Sequence, residues 1–383
     1  MNKSTTQDRV SVLEIKGKEY LFYDRLDANV ALLRGTTADE SGNITMEDEC
    51  LFCENLAAAQ LVTNMGGTVI VQVKRMVKNG ELDPQQVRIP GIFVNAVVIA
   101  ETEEDHMQTF AEVMNHEYCG RGQQQQTKKT SRVLDAKKII ARRAALELTQ
   151  GAVLNYGIGA PEVIAEVTDE EGVTELVKAT VEPGAIGGTP AGGLSFGATA
   201  FPEAIITQDQ MFDFYDGGGI DQAFLGLAEC DQKGDLNVSK FGPKIAGCGG
   251  FINITQNAKQ VFFCGTFTAG KLQISSGDGQ LTIIEDGHIR KFINQVQQIT
   301  FSSDTARANH KPVLYITERA VFRLVDAGLE LIEIAPGIDL ARDVLDQMEF
   351  MPLISDQLKM MDERIFIDKP MGLTLAHSTE RAA

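Results

Sequence analysis

Short apolar runs bounded by polar or glycine-bearing turns alternate along this chain with stretches of helical period. Residues Val10–Ile15 and 19–23 flank Lys16-Gly17-Lys18 in the pattern of a β-hairpin. Residues 29–33 form the next apolar run, expected as a buried strand, and the polar stretch 38–43 follows as a turn. Residues 47–62 have the spacing of a helix, Gly67-Thr-Val-Ile-Val-Gln-Val73 that of a strand, and 92–100 make a further apolar run. Farther on, 136–148 reads as an amphipathic helix, 152–156 as a strand, and Gly157-Ile-Gly-Ala-Pro161 as a turn. Pro161 suits the first turn of a helix reaching about residue 167. Strands are expected at 178–181, Gln260–Cys264, 281–285 and Val313–Ile316, with a helix near 339–348. Strands alternating with helices predict an α/β fold with a largely parallel sheet.

One stretch breaks this rhythm. Residues 101–131 carry the acidic cluster Glu101-Thr-Glu-Glu-Asp105 and the polar tract Gly120-Arg-Gly-Gln-Gln-Gln-Gln-Thr-Lys-Lys-Thr-Ser131. That composition reads as a solvated linker with His106 and His116 on its surface. The expected domains are therefore 1–100, a linker at 101–130, and 131–383, within the two or three that 383 residues suggest. A formal charge of −18 argues against general nucleic-acid binding and against docking on an anionic membrane. No apolar run approaches a membrane span and the first residues have no secretory pattern, so a cytoplasmic location is expected. The six dispersed cysteines fit reduced thiols. Cys50 and Cys53 make a C-x-x-C pair without a second ligand pair, so they are read as two helix residues partly facing the core, not as a metal site.

Candidate chemistry gathers where glycine does. Seventeen of the 36 glycines fall between Gly184 and Gly270. Glu182 sits where a strand gives way to this region, in Val181-Glu-Pro-Gly-Ala-Ile-Gly-Gly188. A carboxylate there can attack a thioester carbonyl, and backbone N–H groups in glycine-rich loops can hold the oxyanion formed. On the residues alone, a surface glutamate at a strand-to-turn junction explains Glu182 better. Residues 210–221, with Phe214 and Tyr215 beside Gly217 and Gly218, read as a shaped wall for a small acyl group or as a plain tight turn. Lys240 and Lys244 make the best local basic patch for phosphates, next to Gly247-Cys-Gly-Gly250. Cys248 is read as a small buried thiol, and Glu318 beside Arg319 as a structural carboxylate.

Taken together, 181–193, 212–221, 237–253, 262–270 and 315–324, in this order, resemble the family I coenzyme A transferases, especially the single-chain acetate and propionate enzymes. With residues 14–45, the likeness covers nearly the whole chain. The resemblance implies two open α/β domains, an α-type and a β-type, of which the first is incomplete here. It implies that Glu182 carries CoA as a thioester during ping-pong transfer to a short-chain carboxylate. It also implies that Gly247, Gly249 and Gly250 line that thioester, with Lys240 and Lys244 on the CoA side and Phe214, Tyr215, Gly217 and Gly218 on the acyl side. CoA enters as substrate, and no metal or other cofactor is expected. The partners expected are acyl-CoA, short-chain acids, further copies of the chain in a homo-oligomer, and a polypeptide supplying the rest of the α-type domain. A non-catalytic or split-enzyme piece and an acyl-CoA hydrolase are the alternative readings.

Overall fold

The computed structural model describes residues 6–122 and 132–377. The chain forms two compact units, one of Met1–Asp48 with Glu54–His106, the other of Glu49–Cys53 with Met107–Ala383.

In the first unit, β1 (Val10–Ile15) and β2 (Lys18–Tyr23) form the expected hairpin, exposed along both strands. Its sheet core is a strand–helix–strand unit of β3 (Val30–Arg34), α1 (Asn55–Asn64), β4 (Thr68–Val73) and β5 (Ala96–Ile99), parallel in the order β3-β4-β5. Ala59 and Val62 of α1 pack with Ala31, Val69, Val71 and Val73, burying one face of the sheet. Among the described residues, no helix of this unit covers the other face. There Val30, Leu32 and Val98 are 52%, 78% and 49% exposed, and the register aligns Leu32, Ile70 and Ala96 in one row across the three strands. The strand at 29–33 is thus buried on one side only, because a helix covers one side only. The helix expected from residue 47 begins at Asn55 instead. Cys50 and Cys53 precede it, and Cys53 has a φ of 47°, a left-handed conformation that no α-helix contains.

The stretch expected as linker is folded where it is described. Short 3₁₀ turns span Glu104–His106 and His116–Cys119, and His106, Gln108 and Tyr118 are buried. His106, expected on the surface, has one ring nitrogen 2.8 Å from Gly35 O and the other 2.8 Å from an Arg34 guanidinium nitrogen. Polar sequence hid this burial because each buried polar group has a partner inside. The glutamine-rich tract at 123–131 lies outside the described residues.

The second unit is built on a ten-stranded sheet. Its elements are α2 (Ala136–Ala145), β6 (Val153–Tyr156), α3 (Val163–Glu170), β7 (Lys178–Thr180), α4 (Gln208–Asp216), β8 (Gln222–Gly226), α5 (Phe251–Asn257), β9 (Gln260–Cys264) and β10 (Val313–Ile316). β11 (Ala320–Val325), β12 (Gly328–Ile334) and β13 (Leu353–Met360) extend one side; Ala185–Ile186 and Ala204–Ile205 extend the other. The centre is parallel, in the order β7-β6-β8-β9-β10. The sheet therefore starts at β6, steps to one side for β7, and returns past β6 for β8. Such a reversal opens a crevice at the carboxyl ends of the strands, the usual ligand site of an open α/β sheet. Phe224 and Phe262, on the adjacent strands β8 and β9, stack at 4.6 Å in the core below. The helix expected near 339–348 is a π turn (Leu340–Val344) followed by a 3₁₀ turn (Leu345–Gln347).

Candidate active site

Glu182 lies two residues beyond the carboxyl end of β7, at that reversal. The Gly184 N–H donates to Val181 O at 3.0 Å, so Glu182 and Pro183 form the corner of a tight turn. Gly184 has a φ of 121°, and a Cβ there would stand 2.0 Å from Ile206 O. Only glycine closes this turn. Gly250, in the loop before α5, brings its backbone up against the Glu182 carboxylate. A Cβ on Gly250 would fall 2.7 Å from Glu182 Oε2 and 2.8 Å from Phe212 Cζ, so carboxylate, ring and backbone meet at one point.

Burial pushes the Glu182 carboxyl above the ordinary glutamate range, and the Gly250 N–H pulls partly the other way. A more basic carboxylate, held in place, is a better nucleophile toward an acyl carbon. The loop that supplies the N–H follows a small hairpin, Lys240–Phe241 against Lys244–Ile245. Ala246 and Gly247 both donate to Ser239 O, at 2.9 and 3.1 Å, which fixes the start of that loop, while residues 247–249 are exposed.

Residues 3–100 match the family model described as Coenzyme A transferase. The acetate CoA-transferase YdiF of Escherichia coli O157:H7 is 44% identical over 98% of this chain and 70% of its own length. The caffeate CoA-transferase of Acetobacterium woodii is 45% identical over 97% of this chain and 72% of its own. The chain belongs to the coenzyme A transferase family. A crystal structure of the E. coli O157:H7 acyl-CoA transferase as a thioester complex with CoA shares its fold, with a TM-score of 0.90 at 43% identity, over 98% of this chain and 70% of that one.

In this CoA transferase the expected site residues fall into distinct places. Gly250 touches the Glu182 carboxylate, while Gly247 and Gly249 lie in the open part of the same loop. Lys240 is half-buried at the foot of the hairpin and Lys244 is exposed on it. Residues 208–216 are the helix α4, not a turn, and this redistributes the aromatic residues. Tyr215 is fully buried beneath Glu182, whereas Phe214 is 42% exposed and packs against Gly219. Gly217 caps the helix, and Gly218 follows it.

Phe212, which the sequence reading passed over, is the aromatic that reaches the carboxylate. The signal was present: Thr207-x-x-Gln210 is a helix-start signature, and Phe212 and Tyr215 are one turn apart. Residues 49–53 were missed as well. Leu51 stands near Gly197 and Pro183, and Cys53 O accepts from Gln208 N–H at 3.0 Å, where α4 begins.

Cys248, expected to be buried, is exposed, as are Gly247 and Gly249 on either side of it. Glu318 is fully buried, taking Arg319 Nε–H at 2.8 Å and Phe267 N–H at 2.9 Å. Those partners occupy it as a structural carboxylate. Among the described residues, no His, Cys, Asp and Glu side chains are grouped to hold a metal, and no helix is long and apolar enough to cross a membrane.

Proposed function

We propose that this CoA transferase exchanges CoA between a short-chain acyl-CoA and a free carboxylate by a ping-pong route through Glu182. A Glu182 carboxylate oxygen attacks the acyl carbonyl, the carbon–sulfur bond breaks, and CoA thiolate leaves an acyl–glutamyl anhydride. The thiolate then attacks the glutamyl carbonyl, expelling the first acid and forming the Glu182–CoA thioester. An acceptor carboxylate reverses the two steps and departs as its own CoA ester. Backbone N–H groups of residues 247–250 stabilise the oxyanions, and Lys240 and Lys244 offer cations to the phosphates of CoA. The observation that carries this reading is the Glu182 carboxylate packed against the Gly250 backbone at the strand-order reversal. The relative whose structure is described as a thioester complex with CoA supports it.

Intact mass after incubation with acetyl-CoA tests the route. The protein gains the mass of a CoA adduct, acetate discharges it as acetyl-CoA, and Glu182→Ala gains nothing. An unmodified wild-type protein, or an adduct that survives Glu182→Ala, would sink the assignment. Release of free CoA without any acceptor would make the protein a hydrolase.

A second reading rests on the bare face of β3-β4-β5. Parallel sheets are ordinarily covered on both faces, and Val30 and Leu32 on this one are more than half exposed. A partner polypeptide that supplies the remaining layer of the α-type domain would cover it. Turnover that appears only when such a polypeptide is added would select this split-enzyme reading.

A further inference from the structure

Beneath the proposed nucleophile lies a buried polar cluster that the chemistry above does not use. The Tyr215 hydroxyl, on a residue with no exposed surface, donates to Thr180 Oγ1 at 2.9 Å and accepts from Asn155 Nδ2 at 3.3 Å. Thr180 in turn donates to Leu154 O at 2.7 Å. Asn155 and Thr180 are paired across the parallel strands β6 and β7, and Thr180 ends the strand that delivers Glu182. The Tyr215 ring meets Phe212 edge-on, 5.7 Å between centroids at 68°, and Phe212 packs where Gly250 and the carboxylate meet. A phenylalanine would fill the same volume. A buried hydroxyl without partners would cost about 1–3 kcal/mol, so a tyrosine here is held by the bonds it makes.

We propose that Tyr215 is a positioning residue for CoA transfer: its hydroxyl fixes strand β7 against helix α4 and so sets where the Glu182 carboxylate meets the Gly250 N–H. One side chain thus references both walls of the site, the strand through Thr180 and the helix through Phe212. This inference rests on Glu182 being the nucleophile.

Single-turnover formation of the CoA adduct, followed by mass spectrometry beside steady-state kinetics, is the test. Because displacement of a reacting group by about 1 Å costs on the order of 100-fold, Tyr215→Phe is expected to slow adduct formation by roughly 10–100-fold. KM for acyl-CoA should stay within about twofold, since phosphate and acyl contacts are untouched. Thr180→Val should reproduce the loss, Thr180→Ser should recover most of it, and Tyr215→Phe combined with Thr180→Val should be no slower than either alone. If Tyr215→Phe does not fold, the Thr180 pair decides. A wild-type adduct rate in Tyr215→Phe, or a defect confined to KM, would overturn the positioning role while Glu182→Ala still forms no adduct. An adduct in Glu182→Ala would instead remove the nucleophile reading, and this inference with it.

Discussion

Gly250 has room for a hydrogen and no more. A methyl group there would stand 2.7 Å from Glu182 Oε2 and 2.9 Å from its Cδ, with the Phe212 ring at 2.8 Å on the other side. The group that can yield is the carboxylate, and yielding swings it away from the Gly250 backbone. Gly250→Ala is therefore expected to lower the adduct-forming rate on the order of 100-fold, measured by rapid quench and mass. Glu182 itself gives a pH prediction. As the proposed nucleophile it would attack as the carboxylate, and burial holds its titration above the ordinary glutamate range. The transfer rate should rise with pH through that raised value, not through the usual one near 4.3. The same shift has a stability side with the opposite sign. Keeping Glu182 ionised in the folded state costs free energy once pH exceeds the ordinary glutamate value, and that cost is relieved as pH falls. Glu182→Gln should accordingly unfold at a higher temperature at pH 7, with the advantage shrinking in acid. Equal melting at pH 7 would contradict it.

At the scale of elements, the two faces of β3-β4-β5 should answer mutation differently. Leu32→Lys, on the bare face, is expected to change stability by no more than about 0.5 kcal/mol. Val71→Ala, against α1, removes a fully buried side chain and should cost about 2 kcal/mol in urea titration. A costly Leu32→Lys would mean that something covers that face in solution. This one-sided burial also limits what a sequence can disclose. The strand at Val30–Arg34 could be read from its apolar residues, but apolar content alone says nothing about how many faces a partner covers. Strands Gln260–Cys264 and Val313–Ile316 fell where their apolar runs placed them, since both lie inside the sheet and every position is constrained. Helix α4 was misread because three glycines after Asp216 drew the segment toward a turn, while its core face, Met211, Phe212 and Tyr215, sits one turn earlier. On its own residues Glu182 read better as a surface glutamate, and only the resemblance of the ordered segments around it made it the candidate nucleophile. The Gly250 contact was not legible, because it joins positions 68 residues apart through a chain reversal that local pattern does not encode.

Across the whole molecule, the second unit is tied together through a buried ion pair. Arg143 of α2 donates to Glu333 of β12 from two nitrogens, at 2.7 and 3.0 Å, with both side chains almost fully buried. Burial alone would raise the Glu333 carboxyl, but the Arg143 guanidinium overrides it and holds the group below the ordinary glutamate range. Its contribution to stability is therefore complete above that range and is lost as pH falls through the depressed value. Glu333→Ala leaves Arg143 buried without this partner and should cost about 3–5 kcal/mol at pH 7, with acid unfolding less steep than in the wild type. A cost below 1 kcal/mol would show that water replaces the carboxylate. The segment at residues 49–53 has a different consequence, for anyone dividing this polypeptide. It belongs to the second unit, although more than fifty residues of the first unit follow it, and it supplies the carbonyl that anchors the start of α4. No single scission can release the second unit intact. A recombinant fragment beginning at Met107 would leave behind the clasp that holds the start of this helix.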